Sequence, residues 1–141
     1  MDRSEPNVVY GPLSPAAAGE LRARSRFPFG ETVERAREAI RAEGLWLVQE
    51  IDPQALAARE GHRILGARQL LCFHPRYLVR LLETDPAAVA GAPVKILLLE
   101  LPDGGTLVLH PDPGFGGRPG LKDLAAELSA SMARILGALG G

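Results

Sequence analysis

Two apolar runs, 94–101 (Val-Lys-Ile-Leu-Leu-Leu-Glu-Leu) and 106–110 (Thr-Leu-Val-Leu-His), flank Pro102-Asp103-Gly104-Gly105. Asp-Gly supplies the positive φ that a tight turn needs, so runs this close predict a β-hairpin. Side chains alternate between the two faces of a strand. Here both faces are apolar: Val94, Ile96 and Leu98 on one, Leu97, Leu99 and Leu101 on the other. Residues 45–52 behave alike, with Leu45, Leu47 and Ile51 opposite Trp46 and Val48. An antiparallel sheet with one face in water shows polar residues there, so both faces of this sheet need a cover. The candidates for the second cover are the C-terminal helix, a second subunit or a ligand pocket. After the C-terminal helix, a homodimer is the simplest.

Helical periodicity accounts for most of the rest. Over 30–43, Val33, Ala36 and Ile40 fall on one face, and Gly44 supplies a C-terminal stop. Asp52-Pro53 opens a short helix to Glu60, with Asp52 as N-cap. Residues 68–73 read as a strand, and His74-Pro75 starts a helix through Leu82. Asp85-Pro86 starts another short turn. A long amphipathic helix over 121–139 carries Leu124, Leu128, Met132, Ile135 and Leu139 as its apolar stripe. The glycine-rich stretch 114–120 before it reads as a flexible connector, with Arg118 as an anion-binding option. Residues 1–20, with Pro6, Pro12 and Pro15, read as a loosely ordered arm, and 21–141 as one α+β domain. The expected fold is an antiparallel sheet of four or five strands with helices on one face and a long C-terminal helix.

Sixteen Lys/Arg against seventeen Asp/Glu leave a net charge of -1, which gives no electrostatic case for nucleic acid or an anionic membrane. No apolar run approaches the roughly 18–20 residues that span a bilayer, and the first residues lack the pattern of a secretory signal. With one cysteine no internal disulfide is possible, and a reducing cytoplasm fits best.

Chemically versatile side chains are scarce. Cys72 and His74 close one strand-like run, and His110 closes the hairpin. By strand alternation Cys72 and His74 point the same way. Imidazole and thiolate are ligands for a transition metal or haem, so Cys72, His74 and His110 form the candidate ligand-binding or metal site. The bland alternative makes Cys72 a small core residue and His74 the N-cap of the next helix. A small enzyme using Cys72 or a histidine is a further reading, and a structural dimerisation module another. Glu50 and Asp52 share a face, but Asp52 reads as a cap and Glu50 as a surface residue. His62 reads as solvated, and Trp46 as core or interface.

The region 29–113 resembles domain-of-unknown-function family 302. The resemblance is carried by Phe29-Gly30-Glu31-Thr32-Val33, Glu50-Ile51-Asp52, Ile64-Leu65-Gly66-Ala67, His74-Pro75, Asp85-Pro86, Ala92-Pro93-Val94-Lys95-Ile96, Asp103-Gly104 and Asp112-Pro113. It implies an antiparallel sheet packed by helices, often as a homodimer, and supplies no activity. The family pattern commonly has Asn where His74 stands, often directly preceded by Cys. Histidine is unusual there and near position 110, so His-based chemistry would belong to a subgroup. The expectation is an uncharacterised bacterial or archaeal accessory domain that binds a small ligand, metal or haem.

Overall fold

Among residues 5–140, which the computed structural model describes, β1 (Leu21–Ser25) leads into α1 (Phe29–Ala42) and β2 (Trp46–Ile51). Next come α2 (Pro53–Ala58), β3 (Ala67–Phe73), α3 (Pro75–Thr84) and a 3₁₀ turn (Pro86–Gly91). β4 (Val94–Glu100), β5 (Thr106–His110), a second 3₁₀ turn (Phe115–Gly117) and α4 (Lys122–Leu139) complete the chain. The strands form one antiparallel sheet in the order β1-β5-β4-β3-β2, giving the α+β architecture expected.

Local chemistry sets the turns. Gly104 takes φ +88° in the β4–β5 hairpin, and Asp103 Oδ1 accepts the Gly105 N–H at 2.8 Å. Gly44, at φ +73°, ends α1. Asp52 accepts from Ala55 N–H and Asp85 from Ala87 N–H, each just ahead of a proline that needs no partner for its nitrogen.

One core lies between the sheet and its helices. From the sheet come Leu70, Val94, Ile96, Leu98 and Val108, all at most 2 % exposed. They meet Val33, Ala36 and Ile40 of α1, Leu81 of α3, and Leu128, Met132 and Ile135 of α4 in a single buried cluster. Each large side chain fully buried there is worth about 1.5–3 kcal/mol.

α4 therefore packs on the same sheet face as α1. The helix expected first as cover for the second face does not reach it, because its apolar stripe is consumed beside α1 and β1. On that second face the register aligns Leu97 with Gln69 and Leu109, and Leu71 with Lys95. Leu71, Leu97, Leu99 and Leu109 stay partly exposed there.

Of the arm expected over 1–20, residues 1–4 lie outside the described residues. Asn7 exchanges two hydrogen bonds with the Arg63 backbone, at 2.7 and 3.0 Å. The Tyr10 hydroxyl accepts from Leu65 N–H at 3.1 Å. Tyr10 and Leu13 line a cavity together with Leu101.

A bulge between Leu47 and Gln49 departs from simple alternation. One extra residue moves every later side chain of β2 to the opposite face. Gln49 now pairs with Leu71 and Ile51 with Gln69, so Ile51 leaves the face of Leu47 for that of Trp46. Glu50 is turned to the helix side, where Arg37 grips it at 2.8 and 2.7 Å.

Candidate functional site

β3 delivers Cys72 and His74 to different surroundings. Cys72 pairs with Leu47 and Val94 and is fully buried in the core. Burial pushes its thiol up to about 12, so it stays protonated. β3 ends at Phe73, and His74 becomes the N-cap of α3, its Nδ1 accepting the Arg76 N–H at 3.1 Å. The cap draws the ring back over the first helical turn, so strand alternation no longer aims it with Cys72.

That hydrogen bond sets the tautomer. Nδ1 uses its lone pair on Arg76, so the proton of the neutral ring sits on Nε2. His74 thus presents an N–H donor. Ligation of a metal or haem by Nε2 would require the opposite tautomer and the loss of the cap.

His74 lines an open, apolar pocket of about 240 Å³. Its walls are Trp46, Val48, Phe73, Leu78 and Val89, with Pro93 at the rim. Trp46 meets the His74 ring edge-on, with centroids 5.2 Å apart and planes at 64°. Trp46 is 60 % exposed and Val48 57 %, because β2 is an edge strand. Trp46, expected in core or interface, is not in the core and forms a wall of this pocket.

His110 lies elsewhere. It closes β5, paired with Leu21, and is 3 % exposed. Its Nδ1 lies 2.8 Å from the Lys95 carbonyl oxygen, an acceptor only, so Nδ1 carries the proton. Burial moves its pKa below the usual histidine range, partly opposed by that hydrogen bond and by Asp112. β4 separates β3 from β5, which puts those strands roughly 10 Å apart.

Cys72, His74 and His110 are therefore not one site. Cys72 is in the core, and the histidines line separate cavities. Among the described residues no three His, Cys, Asp or Glu side chains converge to hold a metal ion.

The remaining candidates have structural partners. Asp52 caps α2 and meets Arg68 at 2.9 Å. Arg37 holds the Glu50 carboxyl below the usual carboxylate range, outweighing its burial. Arg118 is tied to Asp85 at 2.8 Å, which spends its anion-binding option. His62 is exposed, as expected. The glycine-rich stretch is no loose connector, since Phe115 within it is 1 % exposed and sits in the core cluster.

Comparison with known proteins agrees with this architecture. The model of a family described as domain of unknown function DUF302 matches residues 21–139. The chain belongs to the DUF302 family. A crystal structure of an uncharacterized conserved DUF302 protein from Bacillus stearothermophilus superposes with a TM-score of 0.78 at 21 % identity. The match covers 87 % of this chain and 99 % of that one. No curated protein matches. At that identity the likeness is one of DUF302 fold. Among the described residues no helix is long and apolar enough to cross a membrane.

Proposed function

We propose that the chain is an accessory domain that binds a small apolar ligand carrying a hydrogen-bond acceptor, held in the Trp46–His74 pocket. The observation behind this reading is one donor, His74 Nε2–H, set by the α3 cap at the edge of apolar walls. Such pockets gain affinity from apolar contact and orientation from a few polar atoms.

Trp46 is the sole tryptophan, so its fluorescence reports occupancy directly. Titration with a medium-chain ketone is expected to shift and saturate its emission. His74→Asp keeps an oxygen to cap α3 but removes the donor, and is expected to weaken ketone binding roughly tenfold. An alkane of equal length should bind both proteins alike. Unchanged emission up to the ketone's solubility limit would sink the reading. Buried and protonated Cys72 lends no support to a thiol enzyme.

A second copy of the chain is the proposed cover for the open sheet face, and the cytoplasm the proposed compartment. Leu71, Leu97, Leu99 and Leu109 form an apolar patch there that water disfavours. Sedimentation is expected to show a dimer at micromolar concentration, and Leu97→Lys a monomer with unchanged circular dichroism. A wild-type monomer at 100-fold higher concentration, on the order of a weak complex, would overturn this assignment.

A further inference from the structure

A second cavity, of about 260 Å³, lies between the end of β5, the 112–116 turn and the first half of α4. Phe115, Ala125 and Leu128 form its apolar walls, and His110, Asp112 and Ser129 are its polar side chains. Two of the three histidines, His74 and His110, are held in opposite tautomers. His74 spends a lone pair on its cap and keeps a donor. His110 spends its Nδ1–H on the Lys95 carbonyl and keeps the Nε2 lone pair, which has no partner among the described residues.

Asp112 stands at the cavity mouth. Its Oδ1 accepts the Gly114 N–H at 2.8 Å and so fixes the turn. Its Oδ2 packs against Gly19 with no hydrogen-bond donor on it among the described residues. Gly19 has φ +77° and no room for a Cβ beside that carboxylate, so the chain closes tightly over this corner.

The cavity thus offers a nitrogen acceptor on a largely buried histidine, a carboxylate at the mouth and apolar walls. Among the described residues no lysine or arginine lines it. A ligand that complements it donates several hydrogen bonds, carries positive charge and has a short apolar tail. We propose that this cavity is a second binding site, separate from the Trp46 pocket, for a small primary ammonium ion. The N–H groups of the ligand meet His110 Nε2 and Asp112, and its alkyl part lies against Phe115 and Leu128. Burial favours the neutral form of His110, which keeps that lone pair available at neutral pH.

The test is an NMR titration of the ¹⁵N-labelled full chain with n-propylammonium, n-propanol and propionate. Propylammonium is expected to move the His110 Nε2 resonance and the Ala125 and Ser129 amides saturably. Half-saturation on the order of millimolar is the range for a ligand of about four heavy atoms. Propanol should need at least tenfold more, and propionate should leave these signals unmoved. Asp112→Asn keeps the Oδ1 that accepts from Gly114 and removes the charge, so it should weaken propylammonium at least tenfold. Equal half-saturation by amine and alcohol would reduce the site to an apolar hole and overturn the proposal. So would an unmoved His110, an unchanged affinity in Asp112→Asn, or displacement of the amine by micromolar Zn²⁺. Trp46 fluorescence stays constant in this titration if the two sites are separate, so failure here leaves the Trp46 reading intact.

Discussion

Replacing Phe115 by alanine is expected to destabilise the protein by about 3–5 kcal/mol, the range for a large aromatic removed from a core. Phe115 is 1 % exposed although it sits among four glycines, at 114, 116, 117 and 120. Gly114, at φ +83°, reverses the chain so that the ring enters the cluster shared with Leu121, Leu124 and Leu128. The ring anchors the connection between β5 and α4. Without it α4 loses its seat at one end while the bridge of Gly140 to Ser25 still holds the other.

The fit around Phe115 is tight from both sides. A Cβ on Gly91 would lie 2.6 Å from the Pro113 carbonyl oxygen and 2.9 Å from Phe115 Cε1. Gly91→Ala is therefore an overpacking change, worth about 1–3 kcal/mol. In the double variant the ring clash is gone but the backbone clash remains, so the two effects should be partly, not fully, coupled. Urea denaturation with an unchanged m-value measures all three. A melting temperature lower by on the order of 10 °C is the thermal counterpart for Phe115→Ala. A loss below about 1 kcal/mol would return the stretch to the flexible connector that its glycines suggest.

What was legible in the sequence was what neighbouring residues decide among themselves. Val33, Ala36 and Ile40 read as one helical face, and they are 5 %, 0 % and 0 % exposed. Asp103-Gly104 read as a hairpin turn because the positive φ is a property of the residue itself. Asp52 and His74 were open to reading as caps for the same local reason. The bulge at Val48 was not legible, since it exists only relative to β3. It moved Ile51 to the other face and aimed Glu50 at Arg37.

The candidate site failed to assemble for a related reason. Cys72, His74 and His110 all stand at strand ends, but sheet order decides which ends are neighbours, and β4 intervenes. The Trp46 pocket joins β2, the α3 cap and the 3₁₀ turn Pro86–Gly91, segments that no local pattern links. Its one visible trace was Trp46 beside Val48 on the second face of an apolar strand. Family resemblance located the fold and left the site open, since the histidines stand where family members commonly lack them.

Native Cys72 is expected to react with iodoacetamide at least about a thousandfold more slowly than the same thiol in the unfolded chain. The factor follows from its ionisation. Burial raises the thiol from 9.0 to about 12. At pH 8 the thiolate fraction falls from about one in ten to about one in ten thousand, and the thiolate is the nucleophile. Full burial adds a need for local opening before any reagent arrives. The same shift has a consequence for stability. The unfolded thiol loses its proton as pH rises through about 9, while the folded one keeps it, so the unfolded state binds fewer protons and stability falls with pH. The slope is about 1.4 kcal/mol per pH unit, with roughly 4 kcal/mol lost by pH 12. Cys72→Ala removes one buried sulfur at a cost of about 1 kcal/mol near neutral pH, yet flattens the alkaline decline. Lysines and tyrosines titrate equally in both proteins and cancel in the difference. By pH 10 the native protein has lost about 1.4 kcal/mol through this thiol, so the variant should have regained its whole deficit. Rapid alkylation of the native protein at pH 7 would place a reactive thiolate at Cys72 and reopen the nucleophilic reading of β3, and parallel stability curves for the two proteins between pH 8 and 10 would mean a thiol that ionises alike in the folded and unfolded chain.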